Sequence, residues 1–125
     1  MIIAQRADAV LRHATDADLP SIDDITIICY APIVASFLEI VGEKCVQGIY
    51  GNPDFDWKAR KTKQVRDIFQ EHPDQVWVLE EDSQVFGFVT FDLVPGRPVG
   101  FFDNNGVLPE KRGQGWGTFM YRHVL

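Results

Sequence analysis

The spacing of apolar residues in the first part of the chain predicts one short strand followed by helical segments. Residues 9–14 are short and mixed, which is compatible with a strand that ends before Thr15. A Thr side chain can cap a helix and Asp18 complements the positive end of its dipole, so this stretch predicts a helix start. Pro32 interrupts the helical pattern, which resumes over residues 33–46. The first helical segment is carried by Leu19, Ile22, Ile25 and Cys29.

The second half of the chain changes from helical to extended spacing. A helix is predicted over about residues 57–71. Residues 76–79 and 85–93 are rich in Val and Phe and flank turn residues at 81–83, which predicts a β-hairpin. Residues 99–107 form a third extended segment. This order predicts an α+β fold in which helices flank a mixed, largely antiparallel sheet.

The composition supports one packed domain over residues 1–125 and argues against binding to nucleic acid. The chain has 125 residues, is 46% hydrophobic and has a formal net charge of −6. This is enough apolar material for one core. Nucleic-acid binding needs a concentrated face of Lys and Arg that releases counterions. A basic cluster at helical spacing is interpreted as a solvated helix face. It consists of Lys58, Arg60, Lys61, Lys63 and Arg66.

The cysteines and histidines indicate neither a disulfide framework nor a metal site. Cys29 and Cys45 lack a second pair and a His at ligand spacing, and they predict small buried apolar residues in a reducing compartment. His13, His72 and His123 are scattered along the chain. The N-terminus lacks the apolar core of a signal peptide, and no apolar run approaches the length needed to span a bilayer. The sequence predicts a cytoplasmic protein with no metal and no membrane partner.

A glycine-rich segment near the C-terminus predicts an anion site between a strand and a helix. Gly113, Gly115 and Gly117 remove the β-carbons that would keep main-chain N–H groups away from a bulky anion. The first N–H groups of the helix have no internal partner, so a diphosphate can bind without a charged side chain. A Walker-type loop is excluded because Thr118 follows without a Lys, and Met120 replaces the last glycine of a dinucleotide fingerprint. A glycine-rich helix start without a ligand is the remaining alternative.

Residues 112–117 (Arg-Gly-Gln-Gly-Trp-Gly) resemble the signature of the GNAT superfamily of acyl-CoA-dependent N-acyltransferases. That signature is Arg or Gln, two residues, Gly, one residue, then Gly or Ala. Residues 107–109 are similar to the end of the family's fourth strand, and residues 85–88 to its third strand. Residues 13–20 resemble the passage from the first strand to the first helix. The resemblance covers almost the whole chain and implies a GNAT-like fold.

The resemblance also implies roles for individual residues. The strand edge near Val107 would pair with the pantetheine arm of the acyl-CoA, and the Val107 N–H would polarise the thioester carbonyl. Asp103 lies two residues from Asn105 and shares the face of Val107 under strand alternation, so it is the candidate base for the amine. Arg112 opens the signature and is included among the cofactor-binding residues. The amides that would hold the pyrophosphate belong to Gly113, Gln114, Gly115, Gly117 and Thr118.

Four aromatic residues are interpreted as packing residues. Trp116 occupies a signature position that is commonly large and apolar. Tyr30, Tyr50 and Trp57 fall in the helical region that lines the acceptor pocket in proteins of this family.

The resemblance implies an N-acetyltransferase that moves an acetyl group from acetyl-CoA to a primary amine of a small molecule, peptide or protein. The alternative is a non-catalytic acyl-CoA-binding or interaction module. Because the chain ends inside the signature helix, the domain is expected to be truncated there and to lack the C-terminal strands. It would then be a shortened chain, an incompletely observed protein or a half-domain completed by another chain. Oligomeric state stays open, with a homodimer among the alternatives.

Overall fold

The structure, a computed structural model, describes residues 2–41, 56–93 and 100–124. Within these ranges the side chains of residues 37, 38, 40, 41, 93 and 100–103 are not described. Some sequence predictions therefore lie outside the described residues. These are the end of the second helical segment at Val46, the environments of Cys45 and Tyr50, and the strand start at Val99.

The described residues contain five strands and three α-helices. The strands are β1 (Ile2–Arg6), β2 (Ala9–His13), β3 (Val76–Glu81), β4 (Gln84–Leu93) and β5 (Gly100–Val107). The helices are α1 (Leu19–Val41), α2 (Trp57–Glu71) and α3 (Trp116–Val124). Short 3-10 turns lie at Asp16–Asp18, Pro73–Gln75 and Pro109–Lys111. The helix predicted over residues 57–71 and the extended segments of the second half are confirmed.

The strands form one antiparallel sheet in the order β1-β2-β3-β4-β5. The hairpin predicted between β3 and β4 turns at Asp82-Ser83, where both φ angles are positive (52° and 63°). Such a turn matches the right-handed twist of the flanking strands. In the described part of the chain, β5 is an edge strand. The sheet and its helices confirm the predicted α+β class.

Helices cover both faces of the sheet, and each face has its own core. Successive strand residues alternate between the two faces, so Val78 packs toward α1 and α2 while Leu79 packs toward α3. The core under α1 and α2 consists of Ala14, Ile22, Ile25, Val65, Val76, Val78 and Phe88. The core under α3 consists of Ala9, Leu11, Leu79, Phe86, Val89, Trp116 and Met120. Trp116 is a packing residue, as predicted, with its ring centre 5.1 Å from that of Phe86.

The strand β1 is an element that the sequence analysis does not predict. It pairs with β2 through a two-residue turn at Ala7-Asp8. Ala7 has a left-handed φ of 53°, a conformation that Gly or Asn adopts at lower cost. Because Ala-Asp is not a dipeptide that marks such turns, the hairpin has no local signal. Its pairing with β2 supplies the stability that the turn residues lack.

The helix α1 continues through Pro32, so the predicted break between two helical segments is wrong. Pro32 lacks the N–H that would bond to the carbonyl of Ile28. Both residues are exposed, and water can take the place of that hydrogen bond. Val34, beyond the proline, is buried and keeps the next turn of the helix in contact with the protein.

The helix α1 is also long and apolar. Among the described helices it is the one with the length and composition to cross a membrane, since an 18-residue window within Asp16–Ser36 has a mean hydropathy of 1.3. The segment includes Asp16, Asp18, Asp23 and Asp24, so it is a weakly apolar helix and not the uninterrupted apolar run that the sequence analysis excludes. Core helices meet the same criterion, and Ile22, Ile25 and Thr26 of this segment are buried. On its buried face, α1 has the contacts of a core helix.

Arg12 connects β2, the start of α1 and β3. Its guanidinium donates to both carboxylate oxygens of Asp18, at 2.7 and 2.9 Å, and its Nε donates to Glu80 at 2.7 Å. The Asp18 carboxylate also accepts from the main-chain N–H of Thr15 at 2.7 Å, within the predicted helix start. Burial alone would raise the pKa of Asp18. The hydrogen bonds from Arg12 and Thr15 together lower it by more than burial raises it, so the pKa lies below its ordinary value.

The contacts of Asp18 predict that stability falls in acid. Folding favours the carboxylate, so its contribution should be complete above the ordinary Asp pKa of about 4 and decrease as the pH falls toward the lower pKa of the folded state. Asp18→Asn should remove this part of the pH dependence and lower the free energy of unfolding at neutral pH by about 1–3 kcal/mol. Urea unfolding between about pH 7 and pH 3 measures both effects. Asp16→Asn, at an exposed neighbour, is the control, and parallel pH profiles for the wild type and Asp18→Asn would contradict the prediction.

Candidate active site

The end of β5 presents main-chain groups on the open edge of the sheet. The N–H of Leu108 donates to the carbonyl of Phe86 at 2.9 Å, and Val107 is the register partner of Gly87. Hydrogen bonding alternates along an antiparallel pair, so the N–H and C=O of Val107 point away from β4. Within the described ranges no strand covers that side. The Val107 N–H is therefore available to a group outside the sheet.

Arg112 and Cys29 both contact the carbonyl of Val107. Arg112 Nε donates to it at 3.1 Å, and Cys29 Sγ lies 3.4 Å from it. Arg112 Nη2 in turn lies 3.3 Å from Cys29 Sγ. Cys29 is partly exposed, which differs from the small buried apolar residue that the sequence predicts. These contacts attach Arg112, the residue before the glycines, to the end of β5. Cofactor binding by Arg112 stays a prediction.

The glycine-rich segment forms a turn ahead of α3. Gly113 and Gly115 have φ angles of 78° and 82°, which glycine adopts without steric cost. The first hydrogen bond into α3 runs from the N–H of Phe119 to the carbonyl of Gly115 at 3.0 Å. Six amides before it have no acceptor among the residues that the structure describes. They belong to Gly113, Gln114, Gly115, Trp116, Gly117 and Thr118.

Space and charge around this turn suit an anion. A β-carbon built at Gly113 or Gly117 would meet nothing within 4 Å. Arg6 reaches the turn from β1, with Nη1 3.7 Å from a β-carbon built at Gly115 and its guanidinium 4.4 Å from the ring centre of Trp116. In the described part of the chain Arg6 forms no ion pair. The sequence analysis missed Arg6 because it missed β1.

The structure leaves Asp103 as a prediction. Its main chain lies in β5, and its side chain is outside the description. The register between β4 and β5 shifts by one residue between Val89, which faces Asn105, and Phe91, which faces Phe102. Strict alternation therefore does not extend past this bulge. The argument that Asp103 shares the face of Val107 loses its geometric support.

A cavity of about 200 Å³ lies between α1 and α2, and both Tyr30 and Trp57 line it. The Tyr30 hydroxyl donates to Asn104 Oδ1 at 3.3 Å, which joins the cavity wall to β5. Burial raises the pKa of Tyr30 more than the hydrogen bond with the main chain of Asn105 lowers it. Tyr30 is therefore a neutral hydroxyl at neutral pH.

Lys61 departs from the solvated face predicted for the basic cluster. Its Nζ lies 4.5 Å from the centre of the Tyr30 ring, and it lines the cavity. Burial, and then the charge of Arg60, lower the pKa of Lys61. By contrast, Lys63 pairs with Asp67 at 2.7 Å on an exposed part of α2. The prediction is confirmed for Lys63 and wrong for Lys61.

Two of the described histidines, His13 and His123, have packing partners, and His72 is exposed. His13 stacks on Trp77 with ring centres 6.2 Å apart, and His123 meets Phe119 edge to face at 5.0 Å. Within the described ranges, no group of three or more His, Cys, Asp or Glu side chains could hold a metal ion.

Comparison with protein families shows which family this chain belongs to. The family model described as Acetyltransferase (GNAT) family matches residues 44–125, the larger part of the chain. The chain belongs to the GNAT family. Membership supports acyl transfer in general as its activity. No curated protein matches the sequence.

Solved GNAT structures share the fold. The GNAT family acetyltransferase from Brucella melitensis, in complex with acetyl-CoA, has a TM-score of 0.62 and 19% identity over 93% of this chain and 65% of its own. The PaiA N-acetyltransferase from Thermoplasma acidophilum, in complex with coenzyme A, has a TM-score of 0.66 and 13% identity over 93% and 69%. The N-acetylglutamate synthase from Neisseria gonorrhoeae, complexed with coenzyme A and N-acetyl-glutamate, has a TM-score of 0.57 and 19% identity over 97% and 22%. This GNAT domain thus spans less than two thirds of the Brucella and Neisseria chains.

Gly106 allows α1 to lie close against β5. We therefore expect the effect of a larger residue at position 106 to depend on the side chain at position 29. A β-carbon built at Gly106 would lie 2.9 Å from Cys29 Sγ and 3.2 Å from Ile25 Cγ2. Gly106→Ala should therefore lower the free energy of unfolding by about 1–3 kcal/mol. Adding Cys29→Ala removes the sulfur and should restore part of the loss. Chemical unfolding of both single variants and the double variant measures the coupling, and strictly additive losses would count against this contact.

Proposed function

We propose that this chain transfers an acetyl group from acetyl-CoA to a primary amine of a small molecule, peptide or protein. The observation that carries the proposal is the set of six amides without an acceptor among the described residues, at the open turn over residues 113–118. Family membership supports acyl transfer, and relatives in complex with acetyl-CoA or coenzyme A support the donor. The single-domain boundary, the cytoplasmic location and a homodimer stay predictions from the sequence.

In this proposal the turn binds the pyrophosphate of the coenzyme. The amides of Gly113, Gln114, Gly115, Gly117 and Thr118 act as donors at the positive end of the α3 dipole. The open space at Gly113 and Gly117 leaves room for phosphate oxygens close to the main chain. Arg6 adds a full positive charge beside these donors, which strengthens each hydrogen bond to an anion.

The open edge of β5 is proposed to pair with the pantetheine arm. An extended chain can add to a strand edge through main-chain hydrogen bonds. Arg112 and Cys29 already contact the Val107 carbonyl, which leaves its N–H as the donor for the added group. Acetyl-CoA supplies a thioester whose carbonyl carbon bonds to the amine nitrogen while its bond to sulfur breaks. The Val107 N–H would stabilise negative charge on the carbonyl oxygen.

The amine must lose a proton before or during attack, and the chain has to provide a route for it. Asp103 stays the candidate base, either directly or through water. Tyr30 has a raised pKa and lies against Asn104 and the main chain of Asn105. Its hydroxyl is suited to donate a proton to the departing thiolate rather than to accept one from the amine.

Coenzyme A should stabilise the protein, and the stabilisation should depend on the open space at Gly117. At about 100 times its Kd, coenzyme A should raise the free energy of unfolding by about 2.7 kcal/mol. The β-carbon that Gly117→Val adds would meet no protein atom within 4 Å, and the variant should raise the Kd by about tenfold or more while changing stability little. Thermal shift and calorimetry with coenzyme A, ATP and NAD measure both effects.

The control is Ala59→Val, an equivalent change in the exposed first turn of α2. An unchanged Kd in Gly117→Val, or stronger stabilisation by ATP or NAD than by coenzyme A, would contradict the proposed site. Free-thiol release from acetyl-CoA with a panel of amines then distinguishes acetyl transfer from binding alone.

Arg6 should contribute to coenzyme binding through its charge. Arg6→Gln removes the guanidinium and should raise the Kd for coenzyme A by about tenfold to a hundredfold at low ionic strength. The difference from the wild type should shrink as salt screens the charge. Arg122→Gln, at an exposed position in the last turn of α3, should leave the Kd unchanged. Titration calorimetry at low and high ionic strength makes the comparison, and equal affinities for both variants would remove Arg6 from the site.

A further inference from the structure

The cavity between α1 and α2 combines apolar walls with positive charge. Its volume is about 200 Å³, below the range of about 300–1,000 Å³ typical of pockets for drug-sized ligands. It therefore suits a molecule of the size of a single amino acid. The apolar part of the wall consists of Tyr30, Ile33, Val34 and Trp57, and the cationic part consists of Arg60 and Lys61. No carboxylate contributes to the lining that the structure describes.

Lys61 is the cation that distinguishes this cavity. It makes no ion pair with a described carboxylate, whereas Lys63 and Arg66 of the same helix pair with Asp67 and Asp23. Its Nζ lies over the face of the Tyr30 ring, 4.5 Å from the ring centre. The lowered pKa of Lys61 has the same origin, because burial, and then the charge of Arg60, disfavour its ammonium form. An anion in the cavity would favour the ammonium form and offset both effects.

A second hollow lies next to the cavity and reaches β5. This hollow shares Lys61 and Gln64 with the cavity and extends to Asn104. The Tyr30 hydroxyl also links the cavity wall to Asn104. Asp67, the acid that borders this hollow, is paired with Lys63. A small molecule whose carboxylate lies at Lys61 has room to place a neighbouring amine on the side toward Asn104 and β5.

We infer that the acceptor is a small amine that carries a carboxylate and an apolar or aromatic body, with Lys61 binding the carboxylate. This inference rests on the proposed acetyl transfer and names the acceptor class of the same site. The apolar body packs on Trp57 and Ile33, and the amine end lies toward Asn104 and β5. A polyamine or a lysine side chain without a carboxylate would bring positive charge next to Lys61 and Arg60, which costs free energy.

Matched pairs of amines test the role of the carboxylate. L-phenylalanine and L-leucine are compared with their amides, which keep the amine and the apolar side chain but lack the negative charge of the carboxylate. In the wild type, calorimetry should show tighter binding of each acid than of its amide. Lys61→Gln should weaken binding of the acids by about tenfold to a hundredfold and leave the amides within about twofold, because a charged hydrogen bond is lost only for the acids. In acetyl-CoA turnover, the acid-to-amide ratio of kcat/KM should change by the same factor between the wild type and Lys61→Gln. The intrinsic reactivity of each amine cancels in that comparison, because the same two amines are used with both proteins.

Lys63→Gln is the matched control, since it removes the same charge from an exposed position on the same helix. Unchanged acid-to-amide ratios in Lys61→Gln, or amides that bind as tightly as acids to the wild type, would overturn the inference. The calorimetry does not require turnover, so it separates this outcome from a failure of the proposed function. If coenzyme A binds but acids are not preferred, the inference fails alone. If acids bind through Lys61 but coenzyme A does not bind, acetyl transfer fails alone and the carboxylate site stands.

Discussion

The site depends on the contacts of the Val107 carbonyl, because they join β5, α1 and the glycine-rich turn. Cys29 approaches it from α1 and Arg112 approaches it from the glycine-rich turn. This double contact is possible because Gly106 has no side chain, so α1 can lie directly against β5. With the carbonyl in contact with Cys29 and Arg112, the Val107 N–H stays available to an added group on that edge. The helix, the strand and the turn therefore take their relative positions from one polar group of the main chain.

The distribution of charge explains how an acidic chain can bind anions. The net charge is −6, and four described cations form ion pairs, namely Arg12, Lys63, Arg66 and Lys111. Arg6 and Lys61 have no such pair in the described part of the chain, and both lie beside open space. Arg6 lies beside the main-chain donors at the turn, and Lys61 lies within an apolar cavity. Local field, rather than net charge, sets what each site can bind.

Several features were predictable because they depend on neighbouring residues. The helix over residues 57–71, the turn at Asp82-Ser83 and the packing role of Trp116 all follow from local spacing and turn chemistry. The break at Pro32 was predicted wrongly. A proline is tolerated inside a helix when the carbonyl that loses its hydrogen bond, here that of Ile28, is open to water, and this depends on how the helix packs. The strand β1 went unpredicted because its turn at Ala7 is strained locally and stabilised by pairing with β2.

The sequence alone contained the glycines whose conformational freedom produces the turn, since positive φ at Gly113 and Gly115 is a property of those residues. It could not reveal which side chains surround that turn. Cys29 and Arg112 are 83 positions apart, and Arg6 meets Trp116 from the opposite end of the chain. Such neighbours are selected by sheet order and helix packing, which no local pattern encodes. Lys61 illustrates the same limit, because a lysine at helical spacing becomes a cavity residue only when Tyr30 of another helix packs beside it.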